Sequence, residues 1–258
     1  MSSLFNLSGK VAFVTGAGMG GLGAQSAIAL AEAGCKVAIA DLPSRKEDLY
    51  KTREIIEQHA KESIVVTMDV TKEEDIDDAV TEVIDEFGRI DILLNNAGAM
   101  LRKSSIDTTL KEWQHIIDVN LTGTWLVARR VGKEMLQQKQ GKIINVSSLY
   151  ANIVGPLPEP AYYASKSGVV NLTRGLASEW GKQNIQANCI APGVFYPTNM
   201  TKPLAEQPGR LEEMAERTLL GRLGNPEEIQ GVVVFLASSA SDYMTGQMLS
   251  IDGGWSAW

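Results

Sequence analysis

Seven short strand-like runs punctuate this chain, most of them near-continuously apolar, and each is followed by a stretch with helical patterning or by a turn. The runs are Lys10–Thr15, Lys36–Asp41, Ile64–Asp69, Ile90–Asn95, Lys142–Ser147, Ile185–Ile190 and Gln247–Ile251. A strand with one wet face alternates apolar and polar residues, whereas a strand buried on both faces reads as a continuous apolar run. Repeated strand–helix alternation with short links leads to a parallel sheet with helices on both faces, because each crossover must return over the sheet. The expectation is therefore an α/β chain: one doubly wound, seven-stranded parallel sheet in a single domain over residues 1–258. Helix ends are marked by Gly34, Gly88 and Gly181, each placed as a left-handed residue after a helical run. Thr71 and Glu74 read as a capping box opening the helix that runs to Phe87.

Composition narrows the function classes. Apolar residues make up 44 % of the 258, enough for a large core, and the formal net charge is −7. Acidic balance without a basic stripe argues against nucleic acid and anionic membrane as partners. The two cysteines, Cys35 and Cys189, lie in apolar runs and read as buried thiols. Two histidines with no Cys/His spacing pattern give no basis for a metal site. No signal-peptide pattern and no bilayer-length apolar run is present, so a soluble cytoplasmic protein is expected. Residues 195–223 hold Pro197, Pro203, Pro208 and Gly209 after a strand's carboxyl end, the position of a flexible lid over a ligand.

The first strand leads into TGAGMGGLGAQSA. Gly16-x-Gly18-x-x-Gly21 and Gly18-x-Gly20-x-x-Gly23 both satisfy G-x-G-x-x-G. Such a loop can be only a turn. Between a strand and a helix, however, its free amides and the helix dipole face any pyrophosphate, so Gly16, Gly18, Met19, Gly20, Gly21 and Leu22 are candidate phosphate binders. Asp41 ends the second strand, eighteen residues beyond Gly23, where a carboxylate bonds ribose hydroxyls. Together these imply a Rossmann-type dinucleotide site. Asp41 would repel an adenosine 2′-phosphate, which favours NAD. Arg45 and Lys46 close by keep NADP open, and Asp41 can also be read as a helix cap.

Further motifs follow in order: NNAG at 95–98, VN at 119–120, INVSS at 144–148, Tyr162-x-x-x-Lys166, Pro192-Gly193, and TGQMLSIDGG at 245–254. Tyr162 and Lys166 are four apart and share a helix face, but Tyr163 is three from Lys166, so geometry alone does not choose between the tyrosines. Ser147 and Ser148 are likewise both placed at a strand's carboxyl end.

The ordered set resembles the single-domain short-chain dehydrogenase/reductase family from about Leu7 to Gly254. The resemblance selects Tyr162 as general acid–base, with Ser148 holding the substrate oxygen, Lys166 lowering the tyrosine pKa and binding ribose, and Asn120 ordering a proton-relay water. It implies that Leu42, Asp69, Val70, Asn96, Ala97 and Gly98 line the adenosine side. Pro192, Gly193, Val194 and Thr198 line the nicotinamide side. The chain departs from the family pattern in the glycine loop, which carries one extra residue (TG-x-x-x-x-G-x-G), and after Pro192-Gly193, where Thr198 comes one residue late.

Within the family, LFNLSGK, TRGLASEWGKQNIQANCIAPG and ASDYMTGQ are similar to bacterial sugar-acid and polyol dehydrogenases, which oxidise one secondary hydroxyl of gluconates, deoxygluconates or sugar alcohols. Arg102 and Lys103 are candidates for a substrate carboxylate, and Tyr150, Phe195, Tyr196 and Asn199 for the pocket wall. The aromatic tail GWSAW is expected at a subunit interface or near a pocket. A homotetramer is implied, with helices over 113–136 and 162–180 at one interface. Two alternatives stand: a reductase of steroid, cyclic or acyl-carrier ketones, and a catalytically silent NAD-binding sensor or scaffold.

Overall fold

The computed structural model describes residues 3–59 and 62–257. All seven expected strands form, with ends within two residues of those read from the sequence: β1 Val11–Thr15, β2 Lys36–Asp41, β3 Ser63–Thr67, β4 Ile92–Asn95, β5 Gly141–Val146, β6 Ile185–Pro192 and β7 Met248–Ile251. They make one parallel sheet in the order β3-β2-β1-β4-β5-β6-β7. The order reverses between β1 and β4, which opens a crevice at the carboxyl ends of the strands, the binding position in open α/β sheets.

Among the described residues there are eight α-helices: α1 Leu22–Glu32, α2 Lys46–Ile56, α3 Glu73–Phe87, α4 Leu110–Ile117, α5 Gly123–Gln138, α6 Pro160–Trp180, α7 Arg210–Glu216 and α8 Gln230–Ala237. One core joins the sheet to α3, α5 and α6 through residues such as Phe13, Val80, Val131 and Leu176. The opposite core joins it to α1, α2 and α8 through Val14, Leu30, Leu49 and Val233. This double burial explains the continuous apolar runs. A smaller cluster of Leu149, Tyr150, Tyr162, Leu204, Met214 and Trp255 sits over the carboxyl end of the sheet.

Two local expectations are corrected. Thr71 caps no helix: its hydroxyl donates to Asp69 Oδ1 at 2.7 Å, and α3 starts at Glu73. A short Asp69–Thr71 turn outcompetes the capping box, and Asp75, not Glu74, reaches back to the Asp69 amide at 3.1 Å. Gly181 keeps helical backbone (φ −56°) because a 3-10 turn extends α6, and the left-handed position passes to Asn184 (φ +61°). Gly34 and Gly88 are left-handed as expected. Cys35 and Cys189 are buried free thiols, pushed up by burial to about 12 and about 11. Among the described residues no helix is long and apolar enough to cross a membrane, and no His/Cys/Asp/Glu cluster could hold a metal.

Candidate active site

A cavity of about 730 Å³ opens at the carboxyl ends of the strands, within the range of small-molecule and cofactor sites. It runs from the glycine loop and Asp41 to Ser148, Tyr162 and Lys166. The loop enters α1 with Gly21 as N-cap and no side-chain cap, so the first-turn amides are left for another acceptor. Its backbone is closely fitted. A Cβ on Gly16 would lie 2.8 Å from Ala97 Cα, and one on Gly23 would lie 2.3 Å from the Gly16 carbonyl oxygen. Asn96 fixes the loop through its amide, which donates to the Gly16 carbonyl at 2.8 Å and the Thr15 carbonyl at 3.1 Å. Thr15 Oγ1 accepts from the Asn96 and Ala97 amides in return.

The extra loop residue has a visible place. Met19 and Gly20, expected at the phosphates, do not line the cavity. They bulge outward, where the Met19 amide donates to the Asp48 carbonyl at 3.1 Å. The Met19 carbonyl accepts from Arg45 Nη2 at 3.1 Å and from Asn199 Nδ2 at 2.9 Å, while the Gly20 carbonyl accepts from the Asn199 amide at 2.8 Å. The insertion therefore fastens the glycine loop to α2 and to the segment 195–223. Asn199 borders the cavity but spends its amide on this clasp.

Asp41 Oδ2 accepts from the Gly18 amide at 2.9 Å and Oδ1 from the Leu42 amide at 2.8 Å, so its side chain does not cap the helix after Pro43 and stands at the cavity with Leu42. Arg45 lines the same end; its Nη2 is paired with Asp48 Oδ2 at 3.1 Å, and its buried Nε has no hydrogen-bond partner among the described residues. Asp69, Val70, Asn96, Ala97, Gly98, Pro192, Gly193, Val194 and Thr198 all border the cavity, as expected. Glycine loop, free helix amides, ribose-level carboxylate and an apolar adenine side fit a nicotinamide dinucleotide.

At the other end the two ambiguities of the sequence are resolved by hydrogen bonding. Ser147 donates to the Lys166 carbonyl at 2.8 Å, whereas the Ser148 hydroxyl accepts from the Tyr150 amide at 3.2 Å and stands close enough to Tyr162 to lower its pKa. Tyr163 is occupied elsewhere, donating to the Leu157 carbonyl at 2.5 Å and accepting from the Gly155 amide at 3.2 Å. Tyr162 and Lys166 share one face of α6. The Lys166 ammonium lies 5.7 Å from the Tyr162 ring centroid and donates to the Val146 carbonyl at 2.8 Å.

The electrostatics differ from the expectation that Lys166 pulls the phenol down. Burial is the largest influence on Tyr162 and pushes it up to about 12, against a lowering by the Ser148 hydrogen bond. Burial likewise pushes Lys166 down to about 8. The ammonium meets the ring and a carbonyl, so in the free protein desolvation of both groups outweighs their mutual attraction.

Asn120 lies in a five-residue π-helical segment, 118–122, between α4 and α5. Its side chain is fully engaged with the Ala99 amide and carbonyl and the Ser165 hydroxyl, at 2.7–3.0 Å. It is buried behind Gly98 and does not line the cavity.

The substrate candidates fare unevenly. Tyr150 and Phe195 line the cavity, as do Met100, His115 and Leu157, which sequence reasoning did not single out. Lys103 is not at the cavity: Glu112 holds its ammonium at 2.8 and 2.9 Å, a neighbour supplied by the Thr109 capping box. Tyr196 does not line it either; its amide donates to the Gly224 carbonyl at 2.9 Å, next to the Phe195–Gly224 bridge. Arg102 is at the cavity but paired: Nε donates to Glu159 Oε1 at 2.9 Å and Nη2 to the Met200 carbonyl at 3.2 Å. Glu159 was missed, although its place three residues before Tyr162 was the available signal. In the tail, Trp255 is buried 6.3 Å from the Tyr150 ring, edge to face, near the cavity, and Trp258 lies outside the described residues.

Comparison with known proteins agrees with this geometry. A family model described as enoyl-(acyl carrier protein) reductase matches residues 16–256. The chain is 39 % identical to a 2-dehydro-3-deoxy-D-gluconate 5-dehydrogenase of Dickeya dadantii, over 98 % of both chains. It is 35 % identical to a gluconate 5-dehydrogenase of Gluconobacter oxydans, over 97 % of this chain and 96 % of the relative. A crystal structure of a Burkholderia cenocepacia gluconate 5-dehydrogenase with NADP and tartrate superposes with a TM-score of 0.91 at 34 % identity, over 99 % of this chain and 98 % of that one. With the ordered motifs, the reversed strand order and the Ser148–Tyr162–Lys166 grouping, these matches show that the chain belongs to the short-chain dehydrogenase/reductase family, enzymes that move hydride between CH–OH groups and a nicotinamide cofactor.

Proposed function

We propose that this protein is a single-domain, cytoplasmic dehydrogenase that interconverts a secondary alcohol and a ketone in a small sugar acid or polyol, with NAD preferred. The observation that carries the chemistry is the meeting of Ser148, Tyr162 and Lys166 in the cavity that also contains the glycine loop. Bound nicotinamide supplies the hydride acceptor for oxidation and the donor for reduction. The amides of Gly16, Gly21 and Leu22 would hold pyrophosphate, with Gly18 kept in place by Asp41, and Lys166 Nζ would hold a ribose hydroxyl beside Tyr162. Ser148 Oγ holds the substrate oxygen. Tyr162 Oη, as phenolate, takes the hydroxyl proton in oxidation and, as phenol, returns it to the ketone oxygen in reduction; the Lys166 ammonium and the positive charge of an oxidised nicotinamide would favour the phenolate in the loaded site. Asn120, engaged by its side chain, positions the Ala99 turn and leaves its carbonyl, which accepts from Thr124 Oγ1 at 2.8 Å, as the group able to order a water.

The sugar-acid reading is supported by the relatives' names and by a cavity whose wall mixes polar groups with aromatic ones. It is tested by nicotinamide reduction against D-gluconate, 2-dehydro-3-deoxy-D-gluconate, sugar alcohols, cyclic alcohols and hydroxysteroids. Turnover of a sugar acid or polyol is expected, and turnover of only steroids or cyclic alcohols would overturn the substrate class.

A second cofactor reading has its own support. Three of the similar crystal structures contain NADP, and Arg45, whose Nη2 is paired with Asp48, keeps beside Asp41 a buried Nε without a partner among the described residues, a donor for a 2′-phosphate. Asp41 sets NAD preference if Asp41→Ala narrows the NAD-to-NADP ratio of kcat/KM. Loss of NADP use alone in Arg45→Leu would assign the phosphate to Arg45. A homotetramer belongs to the same reading: Leu110 and Trp125, on α4 and α5, are exposed in the single chain. Light scattering that finds a monomer would refute it.

A further inference from the structure

Glu159 is the least expected group in the cavity. It is 1 % exposed, it borders the cavity, and one turn of α6 separates it from Tyr162, so both face the same space. Its Oε1 is taken by Arg102 Nε at 2.9 Å. Its Oε2 is buried and has no hydrogen-bond partner among the described residues. A buried carboxylate oxygen without a donor is costly, and such atoms persist where something else supplies the donor. Arg102 supplies only half of what this carboxylate accepts. Arg102 in turn is tied to the Met200 carbonyl, so the pair is held from both sides and Oε2 has a fixed direction. Because the pair is close to neutral, it selects for hydrogen-bond donors, not for anions. This also replaces the expectation that Arg102 and Lys103 act as free cations for a substrate carboxylate.

We propose that Glu159 Oε2 accepts a hydrogen bond from a second substrate hydroxyl, next to the one held by Ser148 and Tyr162, making Glu159 a specificity-determining residue for vicinal diols. The proposal rests on the polyhydroxylated-substrate reading above. It explains why a dehydrogenase would keep a carboxylate in a site that must also accept hydride chemistry: the second hydroxyl fixes which carbon is presented. A buried site built to bond a hydroxyl rejects analogues that lack it far more strongly than an apolar pocket distinguishes by size.

The test uses matched substrates with the whole purified protein: D-gluconate, cyclohexane-1,2-diol and cyclohexanol, each oxidised by wild type, Glu159→Gln, Glu159→Leu and Arg102→Leu. The readout is the ratio of kcat/KM for the diol to that for cyclohexanol. A hydrogen bond to a charged group corresponds to roughly a tenfold to hundredfold preference. Wild type should prefer the diol by that factor. Glu159→Leu should reduce the ratio at least tenfold, mainly through cyclohexanediol, and Glu159→Gln, which keeps a polar group, should reduce it less. Arg102→Leu should lower both activities and leave most of the ratio. An unchanged ratio in Glu159→Leu, with both activities falling together, would mean that Glu159 only holds Arg102 and would overturn the proposal. A wild-type ratio near one would do the same. Oxidation of cyclohexanediol but not gluconate, with the ratio collapsing in Glu159→Leu, would uphold Glu159 while removing the sugar-acid reading.

Discussion

Lys166 is placed where it weakens the fold, and the amount can be worked from its surroundings. Its ammonium is buried, with the Val146 carbonyl as its hydrogen-bond partner, and desolvation pushes its pKa from 10.5 to about 8. At 1.36 kcal/mol per pH unit, that drop means the charged lysine destabilises the free protein by about 3 kcal/mol at neutral pH. Methionine fills a similar volume without a charge. Lys166→Met leaves the Val146 carbonyl without its donor, which costs about 1–2 kcal/mol. The net expectation is a free protein more stable by about 1–2 kcal/mol at pH 7, seen as a Tm roughly 2–8 °C higher by calorimetry on nucleotide-free protein.

The pH dependence gives the sharper check. Because the folded pKa lies below the unfolded one, the unfolded state binds more protons between pH 8 and pH 10.5. The wild type therefore gains stability as pH rises through that window. The variant's advantage should be full below about pH 8 and shrink above it. A variant less stable than wild type at pH 7, or a difference that does not change with pH, would refute the account of a desolvated, charged lysine. The same variant should lose turnover, so the site gives up stability for function.

Other expectations concern single contacts. Gly23→Ala places a Cβ 2.3 Å from a backbone oxygen that has no room to move, so it should cost roughly 1–3 kcal/mol in thermal stability and weaken nucleotide binding by titration calorimetry. Lys103→Ala, which removes only a partner of Glu112, should leave KM for a sugar acid within about twofold. Cys35 and Cys189, buried and raised to about 12 and about 11, should resist alkylation in the native protein at pH 8 and react only after denaturation, as followed by intact mass.

The fold was legible because its signal is repeated. The inner strands, above all β1, β2 and β4, are buried on both faces and carry near-continuous apolar runs, while the edge strands β3 and β7 are only partly buried; the switch between β1 and β4 follows from placing crossovers on both faces. Element ends were less legible where a short polar turn competed with a cap, as at Asp69–Thr71, or where a 3-10 turn extended a helix, as after Trp180. In the site, the residues read best were those whose role is backbone proximity or a fixed place on a helix, such as Gly16, Gly98 and Tyr162. Those read least well depend on partners distant in sequence. Nothing local to Met19 shows that Asn199 will fasten it, nothing local to Lys103 shows that Glu112 will neutralise it, and Glu159 becomes visible only when Arg102 is found to occupy one of its two oxygens.

The account's central claim is that Tyr162 moves the proton while the rest of the cavity binds the reactants. Its most direct test is turnover and nucleotide affinity of Tyr162→Phe beside wild type, with D-gluconate and 2-dehydro-3-deoxy-D-gluconate as substrates. The ring, its packing and the glycine loop are unchanged by this substitution, and only the hydroxyl beside Ser148 is removed. The account predicts nicotinamide reduction lowered at least a hundredfold, the lower end of what general acid–base catalysis contributes, with nucleotide affinity within a few-fold of wild type. Turnover retained in Tyr162→Phe would contradict it and move the proton transfer to another group in the cavity.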